Sequence, residues 1–103
     1  MAYARREFVE ALELLTKDVR TGSIEMQTVA LFDKLFDFEE SFSMMTPDER
    51  KVKRLEFSKS VLDELYFLAR HANVPSKRQI GKAFQYLLGQ WKRLTVWLED
   101  GRL

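Results

Sequence analysis

Residues 46–79 read TPDERKVKRLEFSKSVLDELYFLARHANVPSKRQ, and this stretch holds the two clearest helix-start signals of the chain. At the first signal, Thr46 is a good N-cap, Pro47 suits the first helical turn, and Glu49 follows the cap at capping-box spacing. Helix 3 is therefore predicted to start here and to continue to Asn73. Its apolar positions recur at helical spacing, at Leu55, Val61, Leu62, Leu65, Leu68 and Ala72.

The second signal, Ser76 with Gln79, has the same capping-box spacing and follows Pro75, which disfavours helix at the preceding residue. It predicts a regular helix 4 that ends near Asp100, because Gly101 suits the left-handed residue that commonly follows a helix. The apolar positions of helix 4 step alternately by four and three residues, at Ile80, Phe84, Leu87, Trp91, Leu94 and Leu98.

Two more helices are predicted before residue 46. Helix 1 runs from Ala4 to about Arg20 and ends at Thr21-Gly22-Ser23, and helix 2 runs from Ile24 to about Phe42. The apolar stripe of helix 1 is Phe8, Leu12, Leu15 and Val19, and the wider stripe of helix 2 is Val29, Leu31, Phe32, Leu35, Phe36, Phe38 and Phe42.

These patterns predict an all-α fold for residues 1–103, a single domain in which four helices form an antiparallel bundle. Helices 3 and 4 would form a long hairpin through residues 73–76. The aromatic residues exceed what a narrow bundle seam holds, so they either fill a wide core or leave some rings for a partner. These rings are Phe32, Phe36, Phe38, Phe42, Phe57, Phe67, Phe84, Trp91 and Trp97.

Composition excludes several kinds of catalytic and metal-binding site. The 103 residues contain no cysteine and one histidine, so the chain offers no disulfide, thiol nucleophile or histidine-based metal site, and we expect it to hold no cofactor. No apolar run approaches the roughly 18 residues of a membrane span, which predicts a soluble, cytoplasmic protein without a membrane partner. Because the formal net charge is only +1, any electrostatic attraction of a charged partner must come from a local cluster of charges.

No catalytic residue is predicted from the acids or the histidine. The neighbouring acids in each of Glu39-Glu40, Asp48-Glu49 and Asp63-Glu64 diverge by about 100° on a helix, and the helix start explains Asp48-Glu49. His71 lies near the end of helix 3, where positive charge complements the helix dipole. No phosphate-binding glycine loop or small-molecule site is present in the sequence pattern.

The charge distribution is more informative than its total. Residues 71–98 contain five cations, Lys77, Arg78, Lys82, Lys92 and Arg93, and no acid, whereas helix 2 is acidic. Two interpretations stay open. In the first the charges are structural, because the two helices either neutralise each other or form solvated faces. In the second the cations of helix 4, together with Arg5 and Arg6, contact phosphates. A helix-turn-helix DNA-binding motif over residues 65–88 is a further alternative, with a recognition helix opening at residues 76–79.

Both ends and the middle of the sequence resemble one known family. The residues that carry the resemblance are Ala4, Arg5, Arg6 and Phe8; Thr46, Pro47, Glu49, Arg50 and Arg54; Gly81 to Tyr86; and Gln90, Trp91, Leu94 and Leu98 to Leu103. In these segments the chain resembles transposases of insertion-sequence family sixty-six. The resemblance spans the whole chain and is weakest from about residue 20 to 45.

The resemblance implies that this chain is part of a DDE transposase. In such an enzyme it would be the helical insertion between the second and third catalytic acids. Such enzymes use two divalent ions, such as Mg²⁺, to cut and join DNA. The family usually has Trp and His where this chain has Met1 and Tyr3, and its motif with the catalytic glutamate would follow Leu103. No activity is therefore expected from this chain alone.

The interpretation is a transposase fragment that contributes DNA contact or protomer assembly without the catalytic triad. The candidate phosphate contacts are Arg5, Arg6, Lys77, Arg78, Lys82, Lys92, Arg93 and Arg102. The alternative from another class is a free-standing helical interaction module, such as a homodimer that buries the surplus aromatic rings.

Overall fold

The computed structural model describes residues 2–103, and this part of the chain contains helices and joints but no strand. The all-α class is thus confirmed. The helices are α1 (Ala2–Glu13), α2 (Lys17–Arg20), α3 (Ile24–Ser41), α4 (Pro47–Lys53), α5 (Lys59–His71), α6 (Gln79–Gly89) and α7 (Trp91–Glu99), and a π-helical segment (Arg54–Ser58) joins α4 to α5.

Four of these helices form a closed ring around the core. Helix α1 packs against α3 and α6, and α5 packs against the same two helices. Helices α3 and α6 therefore lie at opposite corners of the ring, and the α3/α5 edge lies opposite the α1/α6 edge. The predicted hairpin of helices 3 and 4 corresponds to the contact between α5 and α6 across the joint at residues 72–78.

The core is apolar and rich in aromatic rings. Phe8 of α1 is fully buried, with its ring centroid 5.7 Å from that of Phe32 and 5.0 Å from that of Phe84, so it links three helices of the ring. Most of the predicted stripe residues of helices 2, 3 and 4 are buried or half-buried. Many of the surplus aromatic rings thus widen the core, but Phe57 and Phe67 stay exposed.

The capping box at the start of helix 3 is confirmed. The Thr46 hydroxyl accepts a hydrogen bond from the Glu49 amide, and the Glu49 carboxylate accepts one from the Thr46 amide. The helix that follows ends at His71, earlier than the predicted Asn73, because Ala72 is already extended.

The prediction that helix 1 continues to Arg20 is wrong. Helix α1 ends at Glu13, and a separate turn, α2, begins after the extended Thr16. The Arg20 guanidinium donates hydrogen bonds to the carbonyl oxygens of Glu13 and Leu15, which have no helical partner after the break. As a result Val19 is 51% exposed and does not belong to the core.

A π-helical segment interrupts helix 3, which the periodicity did not predict. The Lys59 amide bonds to the Arg54 carbonyl five residues earlier, so one extra residue turns the later part of the helix by about 100°. Leu55, which was predicted to be a stripe residue, is 42% exposed, whereas Arg54 and Ser58 are buried.

Helix 4 is two helices, which corrects the prediction of one regular rod. Gln90, with φ −97° and ψ 3°, separates α6 from α7. The predicted second capping box is also absent, because α6 begins at Gln79 and its side-chain amide donates to the Glu7 carboxylate of α1 at 2.9 Å.

Two glycines are required by close backbone contacts. A Cβ added to Gly81 would overlap the Pro75 carbonyl oxygen, and one added to Gly101 would overlap the Pro47 carbonyl oxygen. The prediction of a left-handed conformation at Gly101 is wrong, since among residues 2–103 only Gly22 has positive φ. Gly101 instead lets the end of α7 touch the start of α4.

Candidate nucleic-acid interface

The structure leaves five cations of residues 77–93 exposed, two in the joint before α6, one on α6 and two on α7. We name Lys77, Arg78, Lys82, Lys92 and Arg93 the basic stripe. All five are exposed. Hydrogen bonds from the Gln90 amide to the Tyr86 carbonyl and from the Leu94 amide to the Gln90 carbonyl connect α6 to α7 across the interruption.

The acidic helix forms no ion pair with the basic stripe, although its first acid, Glu25, lines the same cleft as Arg78. Helix α3 lies across the ring from α6, and its acids that form ion pairs turn to other helices: Asp33 pairs with Arg5 of α1, and Glu39 pairs with Arg54. Within residues 2–103, none of the five stripe cations makes an ion pair. The stripe is therefore a local positive surface on a nearly neutral chain.

Two clefts border the ends of the basic stripe. Arg78 lines one cleft with Leu14 and Glu25, where the end of α1 meets the start of α3. Arg93 lines another with Ala4 and Tyr86, where α1 meets α6. Each end of the stripe therefore lies close to α1.

Helix α1 carries charges of both signs. Arg6 is exposed and lines a cleft between α1 and α3 with Arg5 and Asp33, and Arg5 is 2.8 Å from the Asp33 carboxylate. The Glu7 carboxylate, through its charge and a hydrogen bond, raises the pKa of Tyr3, with smaller contributions in the same direction from Tyr3's other neighbours. Of the two α1 arginines, Arg6 is thus the one available to an external phosphate.

Arg102 is held by its own neighbour. Its guanidinium and its backbone amide both donate to the Asp100 carboxylate, at 3.2 and 3.0 Å. The same contacts lower the pKa of Asp100. A phosphate contact by Arg102 would have to replace this local pair.

The paired acids considered as catalytic candidates are separated in space or exposed. Asp48, Glu49, Asp63 and Glu64 are exposed. Nδ1 of His71 lies 2.9 Å from the Phe67 carbonyl oxygen, at the end of α5. In the part of the chain that the structure describes, no group of three or more histidine, aspartate or glutamate side chains converges as metal ligands.

The joint between α5 and α6 differs from a helix-turn-helix. It covers residues 72–78, whereas that motif has a turn of roughly three to four residues. The first turns of α6 are also packed inward, since Ile80, Gly81, Ala83 and Phe84 are buried. The opposite face of α6 is exposed at Lys82 and Gln85.

Among residues 2–103, the side chain that donates the most hydrogen bonds is that of Arg54, which the periodicity did not single out. Its side chain is 1% exposed, and two of its nitrogens donate to the two carboxylate oxygens of Glu39 at 2.8 and 3.0 Å. Its guanidinium also lies 4.1 Å from the ring centroid of Trp97. Arg54 therefore ties the π-helical segment to both α3 and α7.

The same guanidinium holds the end of α7. It donates to the carbonyl oxygens of Trp97 at 2.7 Å, Asp100 at 2.9 Å and Leu103 at 2.6 Å. One turn earlier, Arg50 donates to the Gly101 carbonyl at 2.9 Å. We name Arg50, Arg54 and Glu39 the arginine clamp. The only sequence signal for it was that residues 46–54 and 98–103 both carry the family resemblance.

Comparison with known proteins identifies a family. Residues 1–103 match the family described as Transposase IS66 family. Two curated relatives from Sinorhizobium fredii (strain NBRC 101917 / NGR234) are similar to the chain: uncharacterized protein y4hP, 26% identical over 99% of this chain, and uncharacterized protein y4jD, 26% identical over 100% of it.

The chain spans about a fifth of the length of these relatives, 20% of each. No solved structure is significantly similar to it. Among residues 2–103, no helix is both long enough and apolar enough to cross a membrane.

Proposed function

Because the chain belongs to the Transposase IS66 family, we propose that it is a helical region of a transposase that contacts DNA through the basic stripe. The observation that carries this proposal is that all five cations of residues 77–93 are exposed, with no acid from residue 71 to 98, and that none has an ion-pair partner within residues 2–103. Cations left without protein partners are available to neutralise phosphates.

The chemistry of strand transfer is assigned to other parts of the parent protein. A DDE transposase would hold two divalent ions with acidic side chains. The acids of residues 2–103 do not converge in a way that fits such ions, so no catalytic step is derived from them. The contribution that we propose for this region is binding and orientation of DNA.

The geometry of the stripe suits a phosphate backbone. Its cations lie on successive segments, in the joint before α6, on α6 and on α7, so several phosphates can be contacted at once. The side of α6 that faces the core is apolar and packed against α1, which fixes the helix that carries Lys82. We expect contacts to phosphates and little reading of base sequence.

Substitution of Arg78, Lys82 and Arg93 by alanine should weaken duplex binding strongly. Each lost phosphate contact lowers the slope of log K against log salt by about 0.9, so three lost contacts lower it by about 2.7. Fluorescence anisotropy with a labelled duplex, from roughly 50 to 200 mM salt, measures both the affinity and this slope.

The control is a triple alanine variant at Lys17, Lys51 and Arg70, which removes the same charge from exposed positions outside the stripe. It should keep most of the affinity and the salt slope. Equal losses in the two variants would mean that only net charge matters, and absence of binding by the wild-type chain at about 50 mM salt would refute the proposal.

A further inference from the structure

A groove runs between α3 and α5 on the edge of the ring that lies opposite the α1/α6 edge. Its volume is about 610 Å³, and its floor is apolar, formed by Ala30, Leu31 and Leu68. Leu31 is buried in the core and Leu68 is half-buried, so the floor rests on fixed side chains. A surface of this kind suits another protein surface better than a small polar ligand.

One of the residues that line this groove is an exposed aromatic side chain, Phe67. Phe67 is 61% exposed although it is a large apolar side chain. Its ring stacks on that of His71 with centroids 4.2 Å apart. The stacking holds the ring in one orientation, so little conformational entropy is lost when a partner covers it.

The charges at the rim of the groove are self-complementary. Lys34 of α3 and Glu64 of α5 line the same groove, yet neither forms an ion pair within residues 2–103. Asp63 is already paired with Lys59 at 3.0 Å. A rim that carries one unpaired charge of each sign can be matched by a second copy of itself turned by a twofold axis.

From these observations we infer that the α3/α5 groove is a twofold interface between two copies of this chain. Phe67 of each copy lies in the groove of the other, and Lys34 of each copy pairs with Glu64 of the other. The interface buries the exposed ring and satisfies both rim charges. None of the five stripe cations lines the groove, so a twofold interface at the groove leaves the basic stripe uncovered.

The first test compares two substitutions at equally exposed apolar positions, Phe67→Gln in the groove and Val52→Gln on α4; these side chains are 61% and 60% exposed. Sedimentation velocity from about 10 µM to about 1 mM should show a monomer–dimer equilibrium for the wild type. Phe67→Gln should raise the dimer dissociation constant at least about tenfold, and Val52→Gln should leave it unchanged.

The second test exchanges the rim charges. Lys34→Glu and Glu64→Lys should each weaken the dimer, because each single variant brings like charges together at the twofold interface. The double variant restores opposite charges across the interface and should recover dimerisation. Circular dichroism checks that each variant keeps its helices, and because these positions are exposed we expect no loss.

Three results would overturn the inference. One is a wild-type chain that stays monomeric up to about 1 mM. Another is a dimer that Phe67→Gln and Val52→Gln weaken equally. The last is a double charge variant no better than the two single ones. Duplex binding by the basic stripe is measured separately, so failure of the dimer and failure of DNA contact are distinguishable.

Discussion

Replacement of Arg54 by alanine should lower the free energy of unfolding by about 3 kcal/mol or more. The substitution removes the partner of the half-buried Glu39 carboxylate and takes one donor from each of three carbonyl oxygens at the end of α7. Loss of one member of a buried ion pair is strongly destabilising because the remaining charge stays desolvated. It also removes the stacking on Trp97.

Urea unfolding followed by circular dichroism measures this effect. The control is Lys59→Ala, which removes an exposed ion pair with Asp63 and should cost only about 0.3–0.5 kcal/mol. Arg54→Lys keeps the charge but not the planar fork, so its cost should lie between the two. A loss below about 1 kcal/mol for Arg54→Ala would show that the arginine clamp is not a structural centre of the fold.

Substitution of Gly81 by alanine should lower the free energy of unfolding by about 2–3 kcal/mol. The added methyl group would overlap the carbonyl oxygen of Pro75, and since both are tied to the backbone, the joint at residues 72–78 or α6 must move. Thermal and urea unfolding both report this change.

Gly89→Ala is the matched control for Gly81→Ala. Gly89 lies in the same helix, and nothing is within 4 Å of a Cβ added there. Because Gly89 is the last residue of α6, alanine should raise the free energy of unfolding only slightly, by less than about 0.5 kcal/mol, through its helix propensity. Effects of the same sign at the two glycines would contradict the close contact with Pro75.

Local signals in the sequence were sufficient where backbone chemistry decides the structure. The capping box at Thr46 and the apolar spacing of α3 predicted these elements closely. The same reasoning failed at Ser76, because the Gln79 amide binds Glu7 in another helix. A tertiary hydrogen bond of this kind leaves no trace in local spacing.

The interruptions of helices 3 and 4 could not be read from periodicity either. The π-helical segment turns Arg54 inward, where Glu39 and the carbonyls of the last turn of α7 accept its hydrogen bonds. These hydrogen bonds stabilise the fold by joining segments that are far apart in sequence. A rule based on neighbouring residues therefore predicts Leu55 as the buried position instead. The positive charge of residues 71–98, in contrast, was evident from composition alone.

The arginine clamp also bears on the proposed DNA contact. It holds the end of α7, the helix that carries Lys92 and Arg93, against the π-helical segment and α3. Cations on a helix that is fixed at its end lose less conformational freedom on binding than cations on a loose terminus. The arginine clamp therefore fixes the helix that carries two of the five stripe cations.

The most direct test of DNA contact by α6 and α7 is a titration of the ¹⁵N-labelled chain with a short duplex, followed by amide chemical shifts. Binding through the basic stripe predicts shift changes concentrated at residues 77–82 and 89–93, which diminish as salt is raised. Changes concentrated on α3 and α5, or no changes at about 50 mM salt, would contradict it.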